Sequence, residues 1–118
     1  MKVYLVTGAA SGIGAALARA LLARGAAVCA ADIQPMNALA GDPARLLSAR
    51  LDVRDAQAWT ALVERVVARW GRLDVLLNVA GVLKPGYVQE TTAADVDFHI
   101  DVNLKGVIHG TRAAAQQM

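Results

Sequence analysis

The sequence predicts an α/β protein, a doubly wound parallel sheet with helices on both faces. Strand-length apolar runs alternate with helical patterns along the chain, which is the element order of such a sheet. Three of these runs are almost continuously apolar, as strands covered on both faces tend to be. A turn with three glycines follows the first run, at the carboxyl end of a strand, where open sheets bind ligands. The length of 118 residues fits one domain, and we expect residues 1–118 to form it.

The four predicted strands differ in how evenly apolar they are. Residues 3–6, 26–31 and 73–81 carry the apolar runs typical of interior strands. Residues 45–51 alternate more, which predicts a strand at the edge of the sheet. Residues 33–44 contain two prolines and a glycine, so we expect no more than a turn or two of helix there.

Apolar spacing predicts the first helix directly after the glycine turn. Ile13, Leu17 and Leu21 recur every four residues and predict its inner face. Gly25 stands where a helix of this length would end. We therefore expect one helix between the first two strands.

Capping residues mark the two later helices. Asp55 can cap a helix that Gly71 ends. Thr92, with Asp95 three residues later, forms a capping-box pattern and predicts the start of a last helical region that reaches the end of the sequence. The predicted inner face of the earlier helix consists of Trp59, Leu62, Val63, Val66 and Trp70.

Composition and charge disfavour several classes of function. Hydrophobic residues make up 56% of the chain and charged residues 19%, as in globular rather than disordered proteins. The net charge of +2 comes from interspersed charges without a basic stripe, so nucleic acid is not an expected partner. We find neither a leader nor an apolar run of membrane-spanning length, and expect a cytoplasmic protein without a membrane partner. Cys29 is the single cysteine, and His99 and His109 lack ligands at metal-binding spacing, so we expect no disulfide and no metal site.

The turn "VTGAASGIG" has a glycine for each of three tasks in phosphate binding. Gly8 allows a tight exit from the strand, Gly12 lets backbone N–H groups approach a pyrophosphate, and Gly14 lets the helix pack close to the strand. The N-terminus of the following helix would offer unpaired N–H donors and a partial positive charge. An ordinary glycine-rich turn is the alternative that this pattern alone leaves open.

Asp32 strengthens the prediction of a dinucleotide site. It closes the second strand 18 residues after Gly14, where a carboxylate can accept hydrogen bonds from both hydroxyls of an adenosine ribose. A surface aspartate that caps a loop is the alternative. A carboxylate here would repel a 2′-phosphate, and Ser11, Ile33 and Gln34 supply no positive charge to attract one. The expected cofactor is therefore NAD, in preference to NADP.

Four motifs in order resemble those of the short-chain dehydrogenase/reductase family. "TGAASGIG" at residues 7–14 resembles the fingerprint Thr-Gly-x-x-x-Gly-x-Gly, and "LDV" at 51–53 resembles the family's Asp-Val pair. "NVAG" at 78–81 resembles Asn-Asn-Ala-Gly with a valine in place of the second asparagine. "DVNLKG" at 101–106 resembles the segment that carries the active-site asparagine, here Asn103. These motifs span nearly the whole chain.

The resemblance implies a fold, a reaction and a set of residues. The fold is Rossmann-like with strand order 3-2-1-4, the later strands of the family's 3-2-1-4-5-6-7 sheet being absent. The reaction is hydride transfer between a nicotinamide and a small alcohol or carbonyl substrate, and a homo-oligomer is expected. Asn103 is the implied catalytic residue. The implied cofactor-binding residues are Thr7, Gly8, Ser11, Gly12, Ile13, Gly14, Asp32, Asp52, Val53, Asn78, Ala80 and Gly81.

The family's catalytic serine and its Tyr-x-x-x-Lys pair are absent from the 118 residues. The family members are typically about twice as long, so we expect a chain truncated on its C-terminal side, the cofactor-binding half of an NAD-dependent oxidoreductase, inactive by itself. A non-catalytic dinucleotide-binding or interaction module is the alternative.

The sequence alone leaves the role of several residues open. Asp52 would meet the adenine amino group in the family, or it is a helix-leading acid. Asn78 is expected to be a buried amide that binds backbone and holds the neighbouring strand end. Asn103 would kink its helix as in the family, or lie on the helix surface. Gly106 and Gly110, four residues apart, are expected to allow the close approach of another helix.

Overall fold

Four parallel strands form the sheet. The computed structural model describes residues 1–37 and 39–118. The strands are β1 (Val3–Thr7), β2 (Ala27–Asp32), β3 (Leu46–Arg50) and β4 (Val75–Leu77), and they lie side by side in the order β3-β2-β1-β4. β1 and β2 are buried along almost their whole length, whereas β3 alternates between buried and exposed residues. The predicted parallel sheet, its strand order and the edge position of β3 are confirmed.

The register aligns the carboxyl ends of the strands. Val6 pairs with Ala30 of β2 on one side and with Leu77 of β4 on the other. Asp32 at the end of β2 pairs with Arg50 at the end of β3. Because all four strands run in parallel, the loops that follow them meet at one edge of the sheet.

The helices are α1 (Gly12–Ala23), α2 (Ala56–Trp70), α3 (Ala93–His99) and α4 (Gly106–Gln117). A 3₁₀ turn spans Val88–Glu90.

The predicted caps of the later helices are confirmed. The side chain of Asp55 accepts hydrogen bonds from the backbone N–H groups of the first turn of α2. Gly71 ends α2 with a φ of 77°, a left-handed conformation that suits glycine. Thr92 Oγ1 accepts the backbone N–H of Asp95 at 3.1 Å. A π-helical turn, Ile100–Lys105, joins α3 to α4.

The inner face of α1 differs from the predicted one. Ile13 is 73% exposed, and Leu17 and Leu21 are only partly buried. The helix leaves a tight turn beside the sheet, so the face that turns toward the strands begins with the small residues Gly14, Ala15 and Ala18. Its buried residues are Gly14, Ala15, Ala18 and Leu22.

The connection between β2 and β3 contains turns and bends. Within its described residues, 33–37 and 39–45, no helix forms. Residue 38, which the predicted helical turn covered, lies outside the described residues.

A hydrophobic core lies on each face of the sheet. Leu5 and Cys29 point toward α2 and α4, where Trp59 is fully buried and its indole N–H donates to the carbonyl of Val53 at 3.0 Å. Val6 and Val28 point toward α1 on the opposite face. Burial raises the pKa of the Cys29 thiol to about 12, so this cysteine behaves as a small apolar side chain. Helices on both faces are therefore confirmed.

Two glycines bring α4 close to the rest of the domain. A Cβ added at Gly110 would lie 2.5 Å from the indole of Trp59, so the prediction of a close helix neighbour is correct there. A Cβ at Gly106 would lie 2.8 Å from Val53, which belongs to the connection between β3 and α2 rather than to a helix. None of the helices in the described ranges is long and apolar enough to cross a membrane.

Candidate functional site

A cavity of about 700 Å³ opens at the carboxyl ends of the strands. The glycine turn, the end of β2, the connection after β3 and the loop after β4 all line it. Three predicted site residues, Thr7, Asn78 and Asn103, lie outside this lining. The other predicted residues line the cavity, and they are Gly8, Ser11, Gly12, Ile13, Gly14, Asp32, Asp52, Val53, Ala80 and Gly81.

Each glycine of the turn occupies its position for a different structural reason. Gly8 has a φ of 65°, and an added Cβ would lie 3.0 Å from the backbone of Ala80. Gly14 has a more severe constraint, since a Cβ there would lie 2.1 Å from the carbonyl oxygen of Gly8. Gly12 has a φ of 53°, and an added Cβ there would meet no described atom within 4 Å. Gly8 and Gly14 thus serve packing, whereas Gly12 leaves the backbone open toward the cavity.

The N-terminus of α1 faces the same cavity with its backbone donors available. Ser11 is the N-cap residue, and its side chain makes no capping hydrogen bond in the described structure. The first turn has no acidic residue to neutralise the positive end of the helix dipole. Backbone N–H groups at such a helix start, beside an open glycine, form a binding site for an anion. A pyrophosphate therefore fits the residues present here.

Asp32 connects the end of β2 to the glycine turn. Its Oδ2 accepts the backbone N–H of Ala10 at 2.9 Å, and its Oδ1 accepts that of Gln34 at 2.9 Å. Each carboxylate oxygen can accept a further hydrogen bond. Asp32 is thus held in a fixed orientation at the cavity wall and retains acceptor capacity for a ligand hydroxyl.

Asp52 forms an ion pair with Arg54, a residue that the sequence reasoning missed. The guanidinium donates through Nε to Oδ1 at 2.9 Å and through Nη2 to Oδ2 at 2.7 Å. The hydrogen bonds from Arg54 hold the pKa of the Asp52 carboxyl below its ordinary value of 3.8. The cavity lining therefore contains a cation, but one already engaged by a carboxylate.

Thr7 supports the cavity from behind. Its side chain is buried, with 1% of its surface exposed. Its Oγ1 accepts the backbone N–H groups of both Val79 and Ala80 at 3.0 Å. Ala80 lines the cavity, so Thr7 fixes the position of the lining without belonging to it.

Asn78 is exposed, and the prediction of a buried, backbone-bound amide is wrong. Its Nδ2 donates to Oγ1 of Thr111 on α4 at 3.4 Å. β4 is an edge strand in this chain, which leaves the residue that follows it open to solvent. Asn78 thus links β4 to α4 outside the cavity.

Asn103 lies in the π-helical turn, so the expected interruption of the helix at this residue is present. The turn ends at the start of α4. The carboxamide of Asn103 is exposed and is hydrogen-bonded to the backbone of Val82, which lines the cavity.

Residues of α3 fasten the loop after β4, and the sequence reasoning missed this role. His99 Nε2 accepts the backbone N–H of Lys84 at 2.9 Å, while Nδ1 lies 2.7 Å from the carbonyl oxygen of Asp95. Lys84 Nζ lies 3.2 Å from Asp95 Oδ1 and holds the pKa of that carboxyl below its ordinary value. Lys84 and Arg54 both approach the ring of Phe98, at 5.4 and 5.6 Å from its centre. Only the folded position of α3 reveals these contacts.

Residues 1–37 and 39–118 contain no group of three or more His, Cys, Asp or Glu side chains placed to hold a metal ion. Tyr87, in the loop after β4, is 72% exposed and lies outside the cavity lining.

The parallel sheet, the glycine turn and the acidic residue at the end of β2 define an α/β domain with a cavity at the carboxyl ends of its strands. The sequence profile of the short chain dehydrogenase family matches residues 2–118. The chain belongs to this family.

Named relatives and solved structures agree with that assignment. The chain is 38% identical over 122 residues to "Oxidoreductase UcpA" of Escherichia coli, covering 99% of this chain and 46% of that protein. It is also 38% identical to "D-threitol dehydrogenase" of Mycolicibacterium smegmatis, over 99% of this chain and 47% of that one. A short-chain dehydrogenase structure from Streptomyces avermitilis superposes with a TM-score of 0.90 at 36% identity, over 98% of this chain and 43% of the other. The chain thus spans about half the length of the curated relatives it matches.

Proposed function

We propose that the chain binds NAD, in preference to NADP, as the cofactor-binding half of an NAD-dependent oxidoreductase. The observation that carries this proposal is the position of Asp32 in the same cavity as the glycine turn. The bound nicotinamide would supply or accept a hydride in exchange with an alcohol or carbonyl substrate. Membership of the short chain dehydrogenase family supports the reaction class.

Each part of the cavity would bind a different group of the dinucleotide. Backbone N–H groups at the start of α1, beside the open Gly12, would bind the pyrophosphate. The carboxylate of Asp32 would accept hydrogen bonds from the adenosine ribose. Asp52 would receive the adenine amino group, with Val53 beside it. Ala80 and Gly81 are small enough for the nicotinamide ribose to lie close.

The preference for NAD rests on the charge near Asp32. A 2′-phosphate bound at the ribose would lie beside a carboxylate already fixed by Ala10 and Gln34. Arg54 is the cation of the cavity lining, but its guanidinium is bound to Asp52 through two side-chain hydrogen bonds. Recruiting it for a phosphate would break this ion pair. NADP would therefore meet repulsion without a free countercharge among the described residues that line the cavity.

Asn103 is the residue of the family's catalytic set that these 118 residues contain. We assign it the family's active-site position, next to Val82 in the loop after β4. Without a catalytic serine and a Tyr-x-x-x-Lys pair, the chain alone would bind cofactor but would not catalyse hydride transfer.

Calorimetric titration with NADH and NADPH tests the proposal. We expect the unmodified chain to bind NADH at least about 10-fold more tightly than NADPH, and Asp32→Ala to narrow that ratio. Asp42→Ala is the matched control, because Asp42 Oδ1 also accepts the backbone N–H two residues later, at 2.9 Å, but lies outside the cavity lining. Equal binding of both cofactors by the unmodified chain would overturn the NAD preference. Failure to bind either one would overturn the proposed function.

A further inference from the structure

We propose that Arg54 is a positioning residue for base recognition, which holds the Asp52 carboxylate so that it accepts a hydrogen bond from an amino-substituted purine. The inference rests on the proposed function and deepens it. It predicts that the cavity discriminates adenine, which carries a 6-amino donor, from hypoxanthine, which carries a 6-oxo acceptor in the same place.

The hydrogen bonds of Arg54 nearly fill the acceptor capacity of Asp52. The guanidinium bonds to both carboxylate oxygens, and the backbone N–H of Arg54 donates to Oδ1 at 3.0 Å. A carboxylate offers about four acceptor positions, two on each oxygen. Oδ1 thus accepts two hydrogen bonds and Oδ2 one. The remaining acceptor position, on Oδ2, accommodates one donor group of a ligand.

Phe98 makes the arginine a rigid support rather than a mobile surface cation. The Arg54 guanidinium carbon lies 5.6 Å from the centre of the Phe98 ring, within the range of a cation–π interaction. Phe98 is partly buried and lines the same cavity. Exposed ion pairs usually contribute little, and the side chains of Arg54 and Asp52 are 42% and 26% exposed. The two-pronged geometry and the aromatic contact together order this pair.

The ionised state of Asp52 matters for the discrimination. A carboxylate attracts an amino donor and repels a carbonyl oxygen, whereas a protonated carboxyl can donate to the carbonyl. Hydrogen bonds from Arg54 favour the ionised form. Without Arg54, the Asp52 carboxylate would no longer be held in one orientation. It would also become protonated at a higher pH, so its preference for a hydrogen-bond donor would weaken under acidic conditions.

A second arginine–aspartate pair in the same chain provides a control. Arg72 Nε and Nη2 donate to Asp74 Oδ1 at 2.9 and 2.6 Å, again across two residues of sequence. Both residues lie outside the cavity lining. Arg72→Ala removes the same kind of side chain and ion pair without touching the proposed base site.

The experiment compares NADH with reduced nicotinamide hypoxanthine dinucleotide by calorimetric titration of the natural protein. We expect the unmodified protein to favour NADH by about 10-fold, the worth of one good hydrogen bond. Arg54→Ala should weaken NADH binding about 5-fold and remove most of the discrimination, while Arg72→Ala retains both. Arg54→Lys keeps the positive charge but cannot donate to both carboxylate oxygens in the two-pronged geometry of the guanidinium. It should therefore retain only part of the discrimination that Arg54→Ala loses. In Arg54→Ala, NADH affinity should begin to fall at a higher pH on acidification than in the unmodified protein.

Several results would overturn the inference. One is an unmodified protein that binds NADH but does not discriminate between the two bases. Another is Arg54→Ala with unchanged discrimination, or with both ligands weakened equally, which is what a merely structural role produces. If Arg54→Ala does not fold, full discrimination in Arg54→Lys is the overturning result. Failure of the unmodified protein to bind either dinucleotide would instead contradict the proposed function itself, so the two failures are distinguishable.

Discussion

The carboxamide of Asn103 exchanges two hydrogen bonds with the backbone of Val82. Its Nδ2 donates to the Val82 carbonyl oxygen at 2.8 Å, and its Oδ1 accepts the Val82 N–H at 2.8 Å. The amide group thereby pairs with the loop after β4 as a neighbouring strand would. The preceding Gly81 leaves room for it, since an added Cβ would lie 3.3 Å from Asn103 Oδ1. The π-helical turn and the cavity lining are thus joined by one side chain.

Replacing this amide tests how firmly the loop is held. Asn103→Asp removes the donor and places a carboxylate against the Val82 carbonyl oxygen, so we expect the free energy of unfolding to fall by about 1–2 kcal/mol. Urea denaturation measures this loss, and hydrogen exchange of the Val82 amide should accelerate. Asn37→Asp, an equivalent change at an exposed turn residue, is the control. An Asn103→Asp chain as stable as the unmodified one would contradict the role of the paired hydrogen bonds.

Thr7 offers a matched pair of substitutions in the buried support of the cavity. Thr7→Val keeps the shape but leaves the N–H groups of Val79 and Ala80 without their acceptor, which should cost about 2–4 kcal/mol. Thr7→Ser keeps the hydroxyl and loses one methyl group, for about 1 kcal/mol. Chemical denaturation of both variants gives the comparison. If Thr7→Ser is the more destabilised, packing of the methyl group, rather than hydrogen bonding, governs this position.

Sequence patterns were sufficient to predict a parallel sheet with helices on both faces. Continuous apolar runs and an early glycine turn predict buried parallel strands, because strands covered on both faces tend to lack alternation. The order of the strands is not contained in those patterns, and it came from the motif resemblance. Asp32 could be located for a similar reason: it closes a strand at a fixed distance from Gly14, and strand ends align in a parallel sheet.

Side-chain partners were less accessible to sequence reasoning. Apolar spacing alone could not choose between the Ile13 stripe and the neighbouring face of α1, because the close approach at Gly14 decides which face turns inward. The Asp52–Arg54 pair is local and could have been found from its spacing. The contact of Arg54 with Phe98 depends on where α3 docks, 44 residues further along the chain (98 − 54), and no local pattern encodes it.

The glycine turn predicts two different outcomes for one type of substitution. Gly14→Ala would force a Cβ to 2.1 Å from the Gly8 carbonyl oxygen, a backbone clash that should destabilise the fold by about 3 kcal/mol or more. The methyl group of Gly12→Ala would meet no described atom within 4 Å. The variant should therefore be destabilised only by the strain of a φ of 53°, which costs about 1 kcal/mol. Thermal denaturation separates the two variants. A folded Gly12→Ala chain should still bind NADH less well, because its methyl group would face the cavity; undiminished binding would place the pyrophosphate elsewhere.

The hydrogen bonds of Asp74 are expected to make the free energy of unfolding decrease at acidic pH. Its pKa is held below the ordinary 3.8, first by the hydrogen bonds from Arg72 and then by the backbone N–H of Val3, which donates to Oδ2 at 2.8 Å. Because the folded-state pKa is the lower one, this carboxylate stabilises the fold fully above pH 3.8, and the contribution is lost as pH falls through the folded-state value.

Asp74→Asn should therefore be less stable than the unmodified chain at neutral pH and should lose less stability between pH 5 and pH 3, a window set by that ordinary value of 3.8. Arg72→Ala should reduce the same pH dependence in part, because the hydrogen bond from Val3 remains. The double variant should add little to Asp74→Asn, since both changes remove the same interaction. Urea denaturation as a function of pH measures all three. An Asp74→Asn chain with the full acid sensitivity of the unmodified protein would show that other carboxylates control acid unfolding.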